Sequence, residues 1–599
     1  MFGKKKEDEK STDEKDGKKR FYINLKKEIY MPKIVIPIFL LACVCIAIYC
    51  VGISPKSLQN DTFYTIAVGK YISQNGIKNL DRDPFSWHNL PYVYPHWLYD
   101  FMMYIIYDNG GFFGIYISTM VFAAILGIVI FTLSYKKSKD GVISTALTIL
   151  AIYTMRDFIA ARSQLVTFIL FGLEILWIEG FLETRKKRYA FGLVLIALAI
   201  ANLHCAVFPF YFILYMPYIA EFLLEVLADL DIDIFVYKCI LSVRYHLEKN
   251  EEKKELIAQK KGKLERVRQN EINKRKERRE NPYKIVTTKN YVVVLLIIVM
   301  IIAGLMGLLN PTGDTAYTYL YKTMKGNTTG SINEHLPLTL MDAKPFAVMV
   351  IMIISVVALT RTKIKLHDLF LFIGLIYMSF KSRRQVAMYS VICTPILAEL
   401  ITSYLKSVDT KLLKKISEIV CTVSGAIIIV CCFTLYATEK LKDKRNENYV
   451  NTRDYPVAAS TWIKENLDVN KIRLYNEYNY GSYLLWQGIP VFIDSRADLY
   501  SPEFNTEPEI RPDGNDIFMD VIRIDDLQYD YKDAFKVYGV THIILHSKVK
   551  LALMLEKDPN YELIYHKGNF KIFEKKDAVN NGVYWITDKE TVIKESVSE

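Results

Sequence analysis

Long apolar runs broken by short, strongly charged stretches set the pattern of this chain. Pro32–Cys50, Tyr291–Leu309, Phe346–Leu359 and Glu418–Leu435 are almost free of charge, while Lys, Asp and Glu crowd the stretches between. An apolar run of about 18–20 residues, wound as a helix, matches the ~30 Å hydrocarbon core of a bilayer. The pattern predicts a first span over Pro32–Val51 and further spans near 94–108, 111–134, 141–155, 164–181, 189–203, 206–228, 290–309, 344–360, 366–380, 386–404 and 416–437. The run at 94–108 is short for a crossing, carries His96 and Asp100, and ends in Asp108-Asn109-Gly110-Gly111. With that run outside the hydrocarbon core the number of crossings is odd and the two termini lie on opposite sides. The expected fold is an α-helical polytopic membrane protein of about 11–13 transmembrane helices.

The last 160 or so residues carry no such run. Lys471–Tyr475, Val491–Ile493 and Thr541–Leu545 read as strands, Tyr561–His566 and Lys571–Glu574 flank a Gly568-Asn569 turn, and Ser460–Asn466 has helical character. A small C-terminal α/β domain fits this mixture. The expected organisation is a polar basic tail over 1–31, a transmembrane domain over 32–437 and the C-terminal domain over 438–599.

Length and charge change the picture less than their placement does. The 599 residues would suit several soluble domains, and 51% hydrophobic residues is an ordinary average, so the clustering alone excludes a soluble protein. The net charge of +11 sits in Lys4–Lys27, Lys136–Lys139, Arg185–Arg188, Lys249–Lys284, Arg361–Lys365 and Lys406–Lys415. Basic loops beside apolar spans follow the positive-inside bias and meet anionic lipid, which makes nucleic acid an unneeded partner. That bias places the N-terminus and the insertion 240–286 in the cytoplasm, and the loop 52–94 and the C-terminal domain outside a plasma membrane. Lys249–Arg279 reads as a solvated helix of alternating charge. Nine cysteines lie in or beside apolar segments, and their placement implies neither a disulfide framework nor a zinc site.

The densest outer segment opens with Asp61 and continues through Phe63, Ile66, Ala67 and Tyr71 to Gly76-Ile77. Its apolar positions trace one face, so an amphipathic helix on the membrane surface is expected, with Asp61 at its start. Asp there also serves as a helix cap, and both readings stand. Asp83-Pro84-Phe85-Ser86-Trp87 and His96-Trp97-Leu98 follow. Further along come Arg156, Arg162-Ser163-Gln164, Asn202-Leu203-His204, Asn310-Pro311, Glu334-His335 and Arg383-Arg384. The tail carries Tyr480-Gly481 and Phe492-Ile493-Asp494-Ser495-Arg496-Ala497-Asp498.

In order and spacing these pieces resemble a bacterial branch of the GT-C membrane glycosyltransferases over about residues 34–575, without the Trp-Trp-Asp signature of better-known branches. The resemblance implies transfer of a sugar from a polyprenyl-phosphate donor to a cell-envelope glycan or protein acceptor at the outer face. It maps the general base onto Asp61. An acceptor hydroxyl is a weak nucleophile, and a positioned carboxylate takes its proton as the bond forms. The leaving phosphate gathers charge that Arg and His stabilise, which makes Arg156, Arg162, His204, Arg383 and Arg384 candidates. Snorkelling to lipid headgroups is the plain alternative for each arginine. His96 and Trp97 are candidate sugar contacts or members of an interfacial aromatic belt, and Glu334 a second acid/base or acceptor contact. Asp81 and Asp83 resemble the paired acids of metal-dependent members, though Asp before Pro is also an ordinary turn former, and a divalent metal is not favoured. Two other functions compete. One is a non-catalytic protein of envelope-polymer assembly; the other is a transporter or flippase, which would show an internal repeat and mid-span charge.

Overall fold

The computed structural model describes residues 36–77, 82–230, 232–326, 328–341, 343–409, 411–504, 516–576 and 586. Helices dominate. In chain order they begin with α1 (Ile38–Ile53), α2 (Asn60–Asn75), α3 (Trp97–Ser138), α4 (Gly141–Thr154), α5 (Ser163–Thr184) and α6 (Lys187–Leu203). Next come α7 (Phe208–Ile213), α8 (Met216–Leu230), α9 (Ile232–Leu247), α10 (Glu251–Glu280), α11 (Val292–Leu305), α12 (Thr315–Lys325) and α13 (Thr328–Ser331). Then follow α14 (Lys344–Leu359), α15 (Leu366–Lys381), α16 (Gln385–Val408), α17 (Leu412–Val420) and α18 (Val423–Asp443). Among the described residues, five helical runs are long and apolar enough to cross a membrane, and there are shorter apolar helices besides. The protein is a multi-pass membrane protein.

The long α3 is two helices meeting at Gly111, whose φ of 57° and ψ of −153° suit only glycine. There the chain doubles back: a Cβ added to Gly114 would lie 2.9 Å from the Ile106 carbonyl oxygen, and the rings of Tyr107 and Phe112 are 5.1 Å apart. The first arm does not enter the bundle core. Tyr99 and Met103 belong to the same apolar cluster as Trp462, Tyr483 and Phe492 of the C-terminal region, whereas Leu126 and Ile130 of the second arm belong to the bundle. The Asp108–Gly111 break therefore separates a helix of the C-terminal side from a true span.

The expected surface helix is corrected. The helix opening at Asp61 does not lie on a surface: every residue of α2 from Thr62 to Gly69 is buried, between the first arm of α3 and α20 (Gly481–Trp486). The apolar stripe understated its burial because Thr62, Thr65 and Gly69 turn inward too. Thr62 donates to the Ala161 carbonyl, and Gly69 lets the Asp100 backbone approach.

The polar end away from this layer is tied by buried charge. Lys137 reaches Asp368 at 2.5 Å and Glu179 at 3.0 Å, and His367 pairs with Glu221 at 2.5 Å. The expected charged helix is α10, antiparallel to α9 and clamped to the end of α8 by Arg279 on Glu225 and Asp229. A two-residue parallel bridge, β1 (Ile285–Val286) with β2 (Ile364–Lys365), closes the same end.

After α18 the chain forms α19 (Val457–Asn466), β3 (Leu474–Asn476), α20, α21 (Ile517–Asp525), α22 (Tyr531–Tyr538), β4 (His542–His546), α23 (Lys550–Leu555), β5 (Tyr561–Lys567) and β6 (Phe570–Lys575). The sheet order is β3-β4-β6-β5, parallel at β3–β4 and antiparallel elsewhere. Gly568 turns the β5–β6 hairpin with φ of 62°. The strand expected at Val491–Ile493 is absent from this sheet; Val491 makes an isolated bridge to Ser86 instead. The first loop is thereby stitched into the C-terminal region. Trp87 Nε1 donates to the Leu474 carbonyl, and His88 Nε2 donates to that of Phe492. Burial pushes His88 down to about 3, so it is neutral at pH 7.

Candidate functional site

Four chain segments converge where the bundle meets the C-terminal region. Asp61 stands in the first turn of α2, which is fixed from two sides. Asn60 Nδ2 donates to the Tyr478 carbonyl at 3.0 Å, and Thr62 Oγ1 to that of Ala161 at 3.3 Å. Arg162 is the extended residue before α5, with φ −130° and ψ 152°, so its side chain leaves the helix axis. Glu334 lies in a short turn laced to the turn before α16: Arg384 N donates to Glu334 O at 3.0 Å, and Arg383 N to Leu336 O at 3.1 Å. Arg384 is the residue before α16.

The side chains form a chain of charge. Arg162 Nε lies 3.0 Å from Asp61 Oδ2, and its Nη1 donates to Glu334 Oε1 at 2.5 Å. Burial works against the charge on Arg162, but Asp61 and Glu334 outweigh it and raise its pKa above the ordinary arginine value. Burial likewise pushes the Glu334 carboxyl up, and the charges of Arg162 and Arg384 more than reverse this, holding it below the usual carboxylate range. Arg384 has no ion pair among the described residues. With its amide oxygen turned to the guanidinium, Gln164 accepts from Arg384 Nη2 at 2.7 Å and Nε at 3.3 Å. Burial lowers the Arg384 pKa, yet an arginine stays protonated.

Arg384 heads an apolar cleft. Its walls are Phe168, Phe171, Val207, Phe210 and Met388, and Gln164, Thr167 and His204 join Arg384 at its polar mouth. His204 Nδ1 bonds the Thr167 hydroxyl at 2.8 Å. On the other side of Glu334 a second, wider cleft of about 280 Å³ takes Arg156, Asp157, Asn333 and Arg383 among its lining residues. A guanidinium without a carboxylate partner, above apolar walls and beside a carboxylate–arginine pair, suits an amphiphile with an anionic head.

Of the residues singled out by sequence, Asp61, Arg162, Glu334, His204 and Arg384 come together here, with Arg156 and Arg383 in the adjoining cleft. Of the other three, His96 borders the site, its ring edge-on to that of His204 with centroids 6.1 Å apart, and Asp83 lies in a separate buried cluster. Asp83 is 1% exposed; its Oδ1 accepts from Arg496 Nη1 at 2.6 Å and its Oδ2 from Ser86 N at 2.9 Å. Arg496 in turn grips Asp494 through Nε and Nη2, at 2.8 and 2.6 Å. His96 is buried between Asp100, 2.8 Å from Nδ1, and Tyr64, 2.8 Å from Nε2. Trp97 Nε1 donates to Asn202 Oδ1 at 3.2 Å. Asp81 lies outside the described residues, and among those described no group of three or more His, Cys, Asp or Glu stands ready for a metal ion.

Thr167 and Asp498 were not among the residues expected at the site. Thr167 follows Ser163 by one helical turn, a spacing that could have shown it. Asp498 accepts from Thr323 at 3.2 Å and Thr328 at 3.3 Å, tying the C-terminal region to the segment that leads to Glu334. No local signal marks that long-range contact.

No protein-family model matches the chain, and no curated protein does. Among solved structures the chain is similar to the oligosaccharyltransferase of Archaeoglobus fulgidus. The apo form shares 11% identity at a TM-score of 0.48, over 85% of this chain and 69% of that one. The form tethered by a disulfide to an acceptor peptide with the NVT sequon gives 11% and 0.47 over the same shares. The enzyme AglB with an inhibitory peptide and a dolichol-phosphate gives 11% and 0.48, over 89% and 74%. These neighbours are GT-C superfamily membrane glycosyltransferases. At that identity and those scores the likeness carries no residue role to this chain.

Proposed function

We propose that the protein is an integral membrane glycosyltransferase that moves a sugar from a polyprenyl-phosphate-linked donor to a cell-envelope acceptor, with inversion and with Asp61 as general base. The reading rests on one observation above the rest: Arg384, without an ion pair among the described residues, lines an apolar cleft with Gln164, Thr167 and His204 and stands beside the charge chain of Asp61, Arg162 and Glu334, bonded to Glu334 through its backbone. The donor's phosphate sits against Arg384, His204 and Gln164, and its isoprenoid chain follows Phe168, Phe171 and Phe210. The sugar turns its anomeric carbon toward Asp61. Asp61 takes the acceptor's proton as the acceptor oxygen bonds to that carbon, while the bond to the phosphate oxygen breaks and the phosphate leaves onto Arg384. Arg156 and Arg383 line the cleft beyond Glu334, where polar groups of either substrate are held. In this reading residues 32–437 form the transmembrane domain, 438–599 the extracytoplasmic domain, and the N-terminus lies inside a plasma membrane.

The pairing of Asp61 with Arg162 favours a second reading, a non-catalytic protein of envelope assembly in which Asp61 is structural. Replacing Asp61 by Asn separates the two. Asp61 is not the cap of α2, which begins at Asn60 after Gln59; Asn keeps its size but takes no proton at neutral pH, so transfer of lipid-linked sugar in membranes of matched expression falls by roughly 10²–10⁴. Near-normal transfer removes Asp61 from the chemistry and leaves the assembly reading.

A further inference from the structure

At the end of the bundle away from the candidate site, the nine-residue helix α17 links α16 to α18. Both neighbours are long and apolar enough to cross a membrane. α16 leaves the site at Arg384, and α18 returns to that level, where Lys444 Nζ donates to the carbonyls of Gly52 and Ser54 at 2.6 and 2.7 Å. Short connections on either side leave α17 no room to depart from the place where both spans end. That place is the bilayer surface on the far side from the C-terminal region.

The sequence Leu412-Leu-Lys-Lys-Ile-Ser-Glu-Ile-Val420 divides sharply around the helix. At about 100° per residue its five apolar side chains share an arc of roughly 120°. One edge of that arc, Leu413 at 4% exposure, packs into the protein. The other edge, Leu412 at 42% and Ile419 at 59%, faces outward among the described residues. Lys411, Lys414 and Lys415 are exposed on the remaining arc, and none has an ion pair among the described residues. α17 also packs on α4, and Lys139, exposed just before α4, brings a fourth cation to the same rim. An exposed apolar edge bordered by cations, held at the level where spans end, is what an in-plane interfacial helix requires. The alkyl stems lie along the apolar boundary while the ammonium groups reach the headgroup layer.

We infer that α17 is an interfacial helix whose Lys411, Lys414 and Lys415, with Lys139, bind anionic phospholipid headgroups of the surrounding bilayer. The occupant is lipid because the helix is tethered at the bilayer surface at both ends and its apolar edge and its charges are set side by side, as acyl chain and headgroup are. This inference stands apart from the proposed transfer reaction and does not rest on it.

Phosphatidylglycerol and phosphatidylcholine are titrated in parallel against the full-length protein in neutral detergent, and bound lipid is counted by native mass spectrometry. Phosphatidylglycerol binds the tighter of the two. The triple variant Lys411→Gln, Lys414→Gln, Lys415→Gln weakens it by about a hundredfold, roughly fivefold for each lysine. A matched control, Lys260→Gln, Lys261→Gln, Lys263→Gln on α10, stays within twofold of the wild type. Raising salt weakens wild-type binding, a readout that needs no variant to fold. Equal affinity for the two lipids, binding that ignores salt, or a control that loses as much as the α17 variant overturns the inference. Equal affinities would leave the apolar edge to a protein partner.

Discussion

Arg162 holds two carboxylates with different nitrogens, Asp61 through Nε and Glu334 through Nη1, and this division of one guanidinium sets the geometry of the candidate site. A lysine keeps the charge but offers a single ammonium, which cannot span both partners. Arg162→Lys is therefore expected to lower transfer at least about tenfold, a loss of ~1.4 kcal/mol of transition-state stabilisation, with protein abundance unchanged. Initial rates over a range of donor concentrations check it, and wild-type kinetics would reduce Arg162 to a dispensable surface charge. Arg384 differs in kind. Its partner is the Gln164 amide rather than a carboxylate, so its charge remains available to an incoming anion.

Among the elements, α2 decides where Asp61 stands, and Gly69 decides how close α2 lies to the first arm of α3. A Cβ at 69 would fall 2.1 Å from the Asp100 carbonyl oxygen and 2.6 Å from Tyr104 Cβ. The nearest obstacle is backbone, so the helices must part. Overpacking of this sort costs about 1–3 kcal/mol, and it moves the first turn of α2 with the rest. Gly69→Ala is expected to lower both the thermal midpoint in detergent and the transfer rate. Gly110→Ala, where a Cβ meets open space, should change neither. Equal behaviour of the two variants would show that the contact between α2 and α3 does not govern the site.

The whole molecule is held together across its two parts by the buried trio of Asp83, Arg496 and Asp494, with Arg496 lying over the rings of Phe85 and Tyr92. Without Asp83, Arg496 stays paired with Asp494 but loses its charged hydrogen bond to the first loop, a bond of a kind that contributes about 1.5–3 kcal/mol. Asp83→Ala should loosen the first loop from the C-terminal region and open it to limited proteolysis. Asp83→Glu, which restores the charge at a changed length, should fall between it and the wild type. A proteolytic pattern identical to wild type in Asp83→Ala would mean that the aromatic contacts of Trp87 and His88 suffice.

The sequence by itself determined what depends on local pattern. Apolar runs of bilayer length mark the spans, the Asp108–Gly111 break marks the fold-back, Gly568 marks the hairpin turn, and the charged block at 249–284 marks α10. Each signal arises within one helix or one turn. Which polar residues meet was decided only by tertiary structure. Asp61, Arg162, Glu334 and Arg384 sit more than 300 residues apart at the extremes, and any of them, read alone, is equally a cap or a snorkelling cation. Asp83 and Arg496 show the converse: the acid before a proline reads as a turn or a ligand until a guanidinium 413 positions away closes on it. The depth of α2 was hidden for the same reason. Periodicity reports the side facing one neighbour, and α2 has neighbours on several sides, which only the assembled fold supplies.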